Sequence, residues 1–146
     1  MRWVAAILAL SLAVPAAGGT PLVVIVHPSR TDTPNIDELE RIYLRKRRFW
    51  SDGSPIVPLN REVGSPEREA FSTRILGTRS TFLASYWNEA YFHGVFPPAV
   101  LASGAAVKRY VAADPRAIGY VDADEVDDSV HVVLSLDEGG PGGRQH

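Results

Sequence analysis

The sequence predicts an α/β domain, a mixed sheet with helices on both faces. Leu22-Val23-Val24-Ile25-Val26 is an unbroken aliphatic run of the kind that sits in a sheet covered on both sides. Amphipathic patterns with apolar residues three and four apart lie between the short strand-like runs. Two such runs, Ala117 to Val121 and Val130 to Leu134, close the patterned part of the chain.

Ahead of the first strand stands Met1-Arg2-Trp3, then an apolar run from Val4 to Val14, then Pro15-Ala16-Ala17-Gly18-Gly19. That is the layout of a secretory signal peptide, with cleavage expected after Ala17 or after Gly19. The run is short of the ~20 residues that span a bilayer, so the mature chain is expected to carry no membrane span and to be periplasmic. The expected organisation is residues 1–19 as signal peptide, 20–136 as one α/β domain and 137–146 as a disordered tail. About 127 residues remain after cleavage, enough to bury a core without staples. There is no cysteine, which excludes disulfides, thiol chemistry and thiolate metal sites. The formal net charge of −2, made more negative by loss of Arg2, argues against a general nucleic-acid binder.

After Val26, His27-Pro28-Ser29 ends the strand. Ile36, Leu39, Ile42 and Tyr43, with acids between them, predict a helix ending near Leu44. Arg45-Lys46-Arg47-Arg48 is expected to be a solvated C-terminal turn, where cations suit the helix dipole, in preference to a polyanion patch. Trp50 is expected to pack and pin the following loop. Pro55 to Asn60 predicts a second strand, and its prolines place it near an edge or make it begin late. Pro66 is suited to the first position of a helix carrying Phe71, Ile75 and Leu76 and stopped at Gly77. Thr78 to Phe92 predicts another helix, whose Phe82, Tyr86, Trp87, Tyr91 and Phe92 have the helical spacing of core residues. His93 to Pro98 breaks it, and Ser103 to Ala113 predicts a helix stopped at Asp114-Pro115.

The stretches "LVVIVHPSR", "IDELERIYLRKRRFWSDGSPIVPLNREVGSPEREAF" and "DPRAIGYV" resemble the periplasmic phosphate-binding proteins of ABC importers and their short relatives. Trp50, Gly53, Arg61, Gly64, Ser65, Phe71, Ile118, Gly119 and Tyr120 stand in that family's order and spacing. The likeness runs from Leu22 to Leu134 and covers one lobe of a two-lobed family, so it implies a single lobe of a type II periplasmic-binding-protein-like fold. By the same resemblance, Arg61 and Ser65 hold phosphate oxygens, with Gly64 and Arg68 completing a candidate oxyanion site. Serine, unpaired N–H groups and dipole at a helix start, with an arginine beside them, suit an anion. This chain departs from the large members at Pro66-Glu67, where they have Gly-Thr. One N–H donor is thereby lost and a carboxylate added, and Ser65 as a plain N-cap with Arg61 ion-paired is the competing reading.

Catalysis is not expected, because no nucleophile elbow or comparable set is present. His27, His93 and His131 lack metal-ligand spacing, and the acids between Asp122 and Asp128 do not follow the order of a calcium loop, so neither metal nor cofactor is expected. Two classes of function stay open. One is a module that binds phosphate or another small oxyanion and serves an ABC permease. The other is an accessory protein of the envelope that keeps the fold and works through its surface on another envelope protein or, as a homodimer, on itself.

Overall fold

A computed structural model describes residues 20–136; the expected signal peptide and tail lie outside them. Five strands form one sheet: β1 (Leu22–Val26), β2 (Val57–Arg61), β3 (Ala99–Leu101), β4 (Ala117–Asp122) and β5 (His131–Leu136). Their order is β3-β2-β4-β1-β5. β1 is antiparallel to both its neighbours, whereas β2 runs parallel to β3 and β4. This is the mixed sheet that the sequence predicts.

Helices α1 (Ile36–Tyr43), α2 (Pro66–Phe71), α3 (Ala84–Phe92) and α4 (Gly104–Ala113) accompany it. Asn35 opens α1 with a capping box: its side chain accepts the Glu38 N–H, and the Glu38 carboxylate reaches back to the Asn35 N–H. Ser103 caps α4 by accepting the Ala106 N–H at 3.0 Å. The strand residues alternate between two cores, one on each face. Val24, Val26, Ile118 and Tyr120 pack with Leu39, Ile42, Tyr43 and Phe71 from α1 and α2. Val23, Ile25 and Val121 pack with Val107 and Val111 of α4. Both faces of β1 and β4 are thus covered, which explains their continuous apolar runs.

Trp50 is 2% exposed, donates its Nε1–H to the Arg116 carbonyl at 2.9 Å and carries the Arg30 guanidinium 4.6 Å above its ring. It ties the loop after α1 to the start of β4, as expected. The basic run is less solvated than its composition predicts. Arg45 takes a left-handed φ of 61° and gives Nη1 to the Ile56 carbonyl, and Arg47 pairs with Glu38 and Asp32.

β2 lies beside the edge strand β3 and begins only at Val57, as its prolines predict: Pro55 precedes it and Pro58 lies before β3 joins, the β2–β3 register starting at Leu59↔Ala99. Two expectations need correction. The helix expected from Thr78 is a 3-10 turn, Ser80–Leu83, followed by α3, and its aromatics are not core. α3 has no buried residue, and Phe82, Tyr91 and Phe92 are 71%, 60% and 85% exposed. Tyr86 and Trp87 stack edge-on against each other, and the Tyr86 hydroxyl reaches only to the Leu44 carbonyl. Finally, β3 is a strand that the sequence did not announce, since three residues after Pro97-Pro98 show no alternation. The acids after β4 form the expected turn, partly as a 3-10 segment Ala123–Glu125, with Asp127 paired to Lys108.

Gly119 has a clear packing role, because a Cβ there would overlap Val107 Cγ1 of α4 and touch Val111 and Leu59. Gly119→Ala is expected to destabilise the protein by about 1–3 kcal/mol in denaturant unfolding, through overpacking. Gly104→Ala meets only the flexible end of Glu125, and is expected to be close to neutral.

Candidate functional site

The expected site residues lie where β2 runs into α2. The β2–β4 register covers Val57↔Ala117 and Pro58↔Ile118 and goes no further. Beyond it, two buried tyrosines serve the backbone of β2. Tyr43 Oη donates to the Leu59 carbonyl at 2.9 Å, with the Ile118 carbonyl at 3.3 Å. Tyr120 Oη donates to Asn60 Oδ1, and both of those groups accept from the Arg61 N–H. Phe71 of α2 stacks on Tyr120 with ring centroids 4.0 Å apart and lies 4.5 Å from Tyr43. Burial pushes both phenols up from their ordinary range, so they stay neutral donors.

Arg61 leaves this scaffold with its side chain 9% exposed. Its Nη2 lies 3.3 Å from Glu62 Oε1 and 3.9 Å from Glu67 Oε2, while Nε is buried without a hydrogen-bond partner among the described residues. The Glu62 carboxyl is held below its usual range, first by its own backbone N–H and then by the Arg61 guanidinium. A turn follows, closed by Ser65 N–H to the Glu62 carbonyl at 3.1 Å, and Gly64 adopts φ 87°, a value costly for any residue with a side chain. Ser65 then caps α2, its Oγ accepting the Arg68 N–H at 3.2 Å, with Pro66 at the first helical position. Arg68 folds back so that Nη1 donates to the Arg61 carbonyl at 2.9 Å.

All four sequence-predicted residues are therefore together, on one strand end and one helix start, and each has an internal task. Pro66 brings no N–H, Ser65 takes that of Arg68, and the Glu69 carboxyl is held below its usual range, first by the Ser80 hydroxyl and in smaller part by the Gly64 backbone. Beside the turn is a hollow of about 290 Å³ lined by Pro66, Glu67, Arg74 and Asp122 among others. Burial raises the pKa of Asp122, with the Glu67, Glu125 and Asp124 charges adding to it. Sequence reasoning found Glu67 as a competing carboxylate and missed Glu62, as well as the part of Asn60 and Tyr120 in seating the arginine. No local pattern announces those contacts, since Tyr120 and Arg61 meet only through the parallel placement of β2 and β4. Among the described residues no group of His, Asp and Glu is arranged to hold a metal ion, and no helix is long and apolar enough to cross a membrane.

The five-stranded sheet and its flanking helices form a fold that also occurs as one lobe of solute-binding proteins. No family model and no curated protein matches the chain, but solved structures do. It is similar to a candidate phosphate ABC transporter substrate-binding protein of Clostridium perfringens with phosphate bound, at 26% identity and TM-score 0.65, over 80% of this chain and 45% of that one. An ABC-type phosphate transport receptor of Vibrio cholerae matches at 19% identity and TM-score 0.62, over 80% and 46%. PstS of Borrelia burgdorferi matches at 16% identity and TM-score 0.60, over 80% and 47%. The chain thus spans under half the length of the structures it matches. It is a partial, single-lobe structural relative of phosphate ABC transporter substrate-binding proteins.

Because Ser65 Oγ has the part of an N-cap, Ser65→Ala is expected to cost about 1 kcal/mol in denaturant unfolding, whereas Ser65→Asp, which restores an acceptor, is expected to recover most of it.

Proposed function

We propose that this chain is an exported, non-enzymatic solute-binding-like protein whose Arg61 meets a small oxyanion, phosphate above all. The observation that carries this reading is the Arg61 guanidinium, nine-tenths buried at the end of β2, with Nε unpartnered among the described residues and a loose 3.9 Å contact to Glu67. An oxyanion entering from the side of Glu67 would replace that contact with a charge-assisted pair. Glu67 is 24% exposed and can swing into water as it leaves. Ser65 and Arg68 hold the turn that fixes the geometry. The presence of phosphate in the Clostridium perfringens structure supports the choice of ligand, and delivery to an ABC permease is the role such binding would serve. A second reading, an accessory envelope protein acting through its surface, is favoured by the uncovered aromatics of α3.

The ligand reading is tested by thermal melts. Binding to the native state alone raises stability by about 2.7 kcal/mol at a hundredfold ligand excess over Kd, so phosphate or sulfate in the millimolar range is expected to raise Tm by several degrees. Arg61→Ala is expected to abolish the ligand-dependent shift whatever its own Tm, and Glu67→Gln to enlarge it by removing the competing charge. No shift with either anion in the wild type refutes oxyanion binding and leaves the surface reading standing.

Export is tested separately. Intact mass of the protein recovered from the periplasm of the producing cell is expected to place its first residue at Gly18 or Thr20. An unprocessed Met1 chain in the cytoplasm would contradict this.

A further inference from the structure

The stretch from Ser80 to Leu101, comprising the 3-10 turn, α3, the turn after it and β3, carries a single formal charge, Glu89. Yet among the described residues it is the most uncovered stretch. α3 has no buried residue although four of its nine residues, Tyr86, Trp87, Tyr91 and Phe92, are aromatic, and aromatic surface left in water is stabilised when something covers it. Tyr91 lies edge-on to Phe92 and to Phe96, with centroids 6.2 and 5.6 Å apart. These rings form one cluster, bordered along the chain by the exposed edge strand β3, where Val100 is 54% exposed.

At roughly 200 Å² per ring, exposures of 60%, 85% and 61% at Tyr91, Phe92 and Phe96 leave roughly 410 Å² of contiguous aromatic surface in water. The three rings alone match the largest apolar patch on an ordinary monomer, about 300–600 Å². Their exposed area is about half of the ~800 Å² that each partner contributes to a standard interface, the size of a weak, reversible contact. Its charge decides what fits. A face about a quarter charged, as ordinary surfaces are, would need a partner of complementary sign. One that is nearly neutral can meet its own copy across a two-fold axis without setting like charges against each other.

We infer that α3, the Phe92–Pro98 turn and β3 form a self-complementary face by which two copies of this chain pair. The rings of Tyr91, Phe92 and Phe96 are its anchors, since rigid aromatics dominate interface energetics.

Sedimentation equilibrium of the purified protein from micromolar to millimolar concentration tests the inference, because it reads mass and is blind to phosphate. The wild type is expected to show a reversible monomer–dimer equilibrium. Phe92→Glu with Phe96→Glu is expected to weaken it at least tenfold, a typical loss for central aromatic contacts. Phe49→Glu, at a ring 57% exposed in a different loop, is expected to leave it unchanged. All these positions are exposed, so circular dichroism should show the variants folded. A wild type that stays monomeric throughout overturns the inference, as does a dimer indifferent to the Phe92/Phe96 change or equally weakened at Phe49. Assembly that continues past two, or a monomer that binds anionic lipid vesicles through these rings, overturns it too.

Discussion

The hydroxyls of Tyr43 and Tyr120 stand where the ladder between β2 and β4 stops, and much of the molecule hangs on that substitution. Two parallel strands that part company leave backbone groups facing each other inside a core, and each unsatisfied one would cost about 1–3 kcal/mol. Here the Leu59 carbonyl and the Arg61 N–H are met by phenols reaching across from α1 and β4. Phe71 fills the space between the rings and in doing so sets the position of α2. The plug is apolar where it touches the core and polar only at its tips, which is what a large aromatic residue supplies. Without it, β2 would have no reason to deliver Arg61 where it does.

That arrangement also explains how an arginine is kept in a place where little water reaches it. A buried guanidinium needs partners for its charge. Glu62 and Glu67 provide them, while Arg68 secures the strand end and Ser65 the helix start. The turn thus holds an arginine whose charge is met by two carboxylates. Its shape comes from the strand, the left-handed glycine and the capped helix, and those are properties of the fold. Anion capture there is governed by the balance of side-chain charge over a few ångströms, and not by the fold.

The central strands, α1 with acids in its first turn, the Pro66 helix start and the Trp50 anchor were legible in the sequence by local rules: an apolar run, an amphipathic pattern, a proline at the first helical position. The neighbourhood of Arg61, Gly64, Ser65 and Arg68 was legible only through the family resemblance. What escaped depends on position in space. The spacing of Tyr86, Trp87, Ala90 and Tyr91 correctly announces a helix, but periodicity says nothing about whether a core lies beside it. The partners of Arg61 belong to the same class, since Tyr120 is distant in sequence and Glu62 points by a turn that spacing does not encode.

The order of strands has a consequence for how the molecule comes into being. β1 is made first and lies between the two made last, pairing Leu22 with Asp122 on one side and with Leu136 on the other. Nothing synthesised in between can complete its hydrogen bonds. The sheet therefore cannot close until almost the whole chain is present, and long-range pairing of this kind is slow. For a chain proposed to cross a membrane before it folds, that delay is useful: the nascent protein stays threadable, and its core becomes final only when the last strand arrives to seal the first.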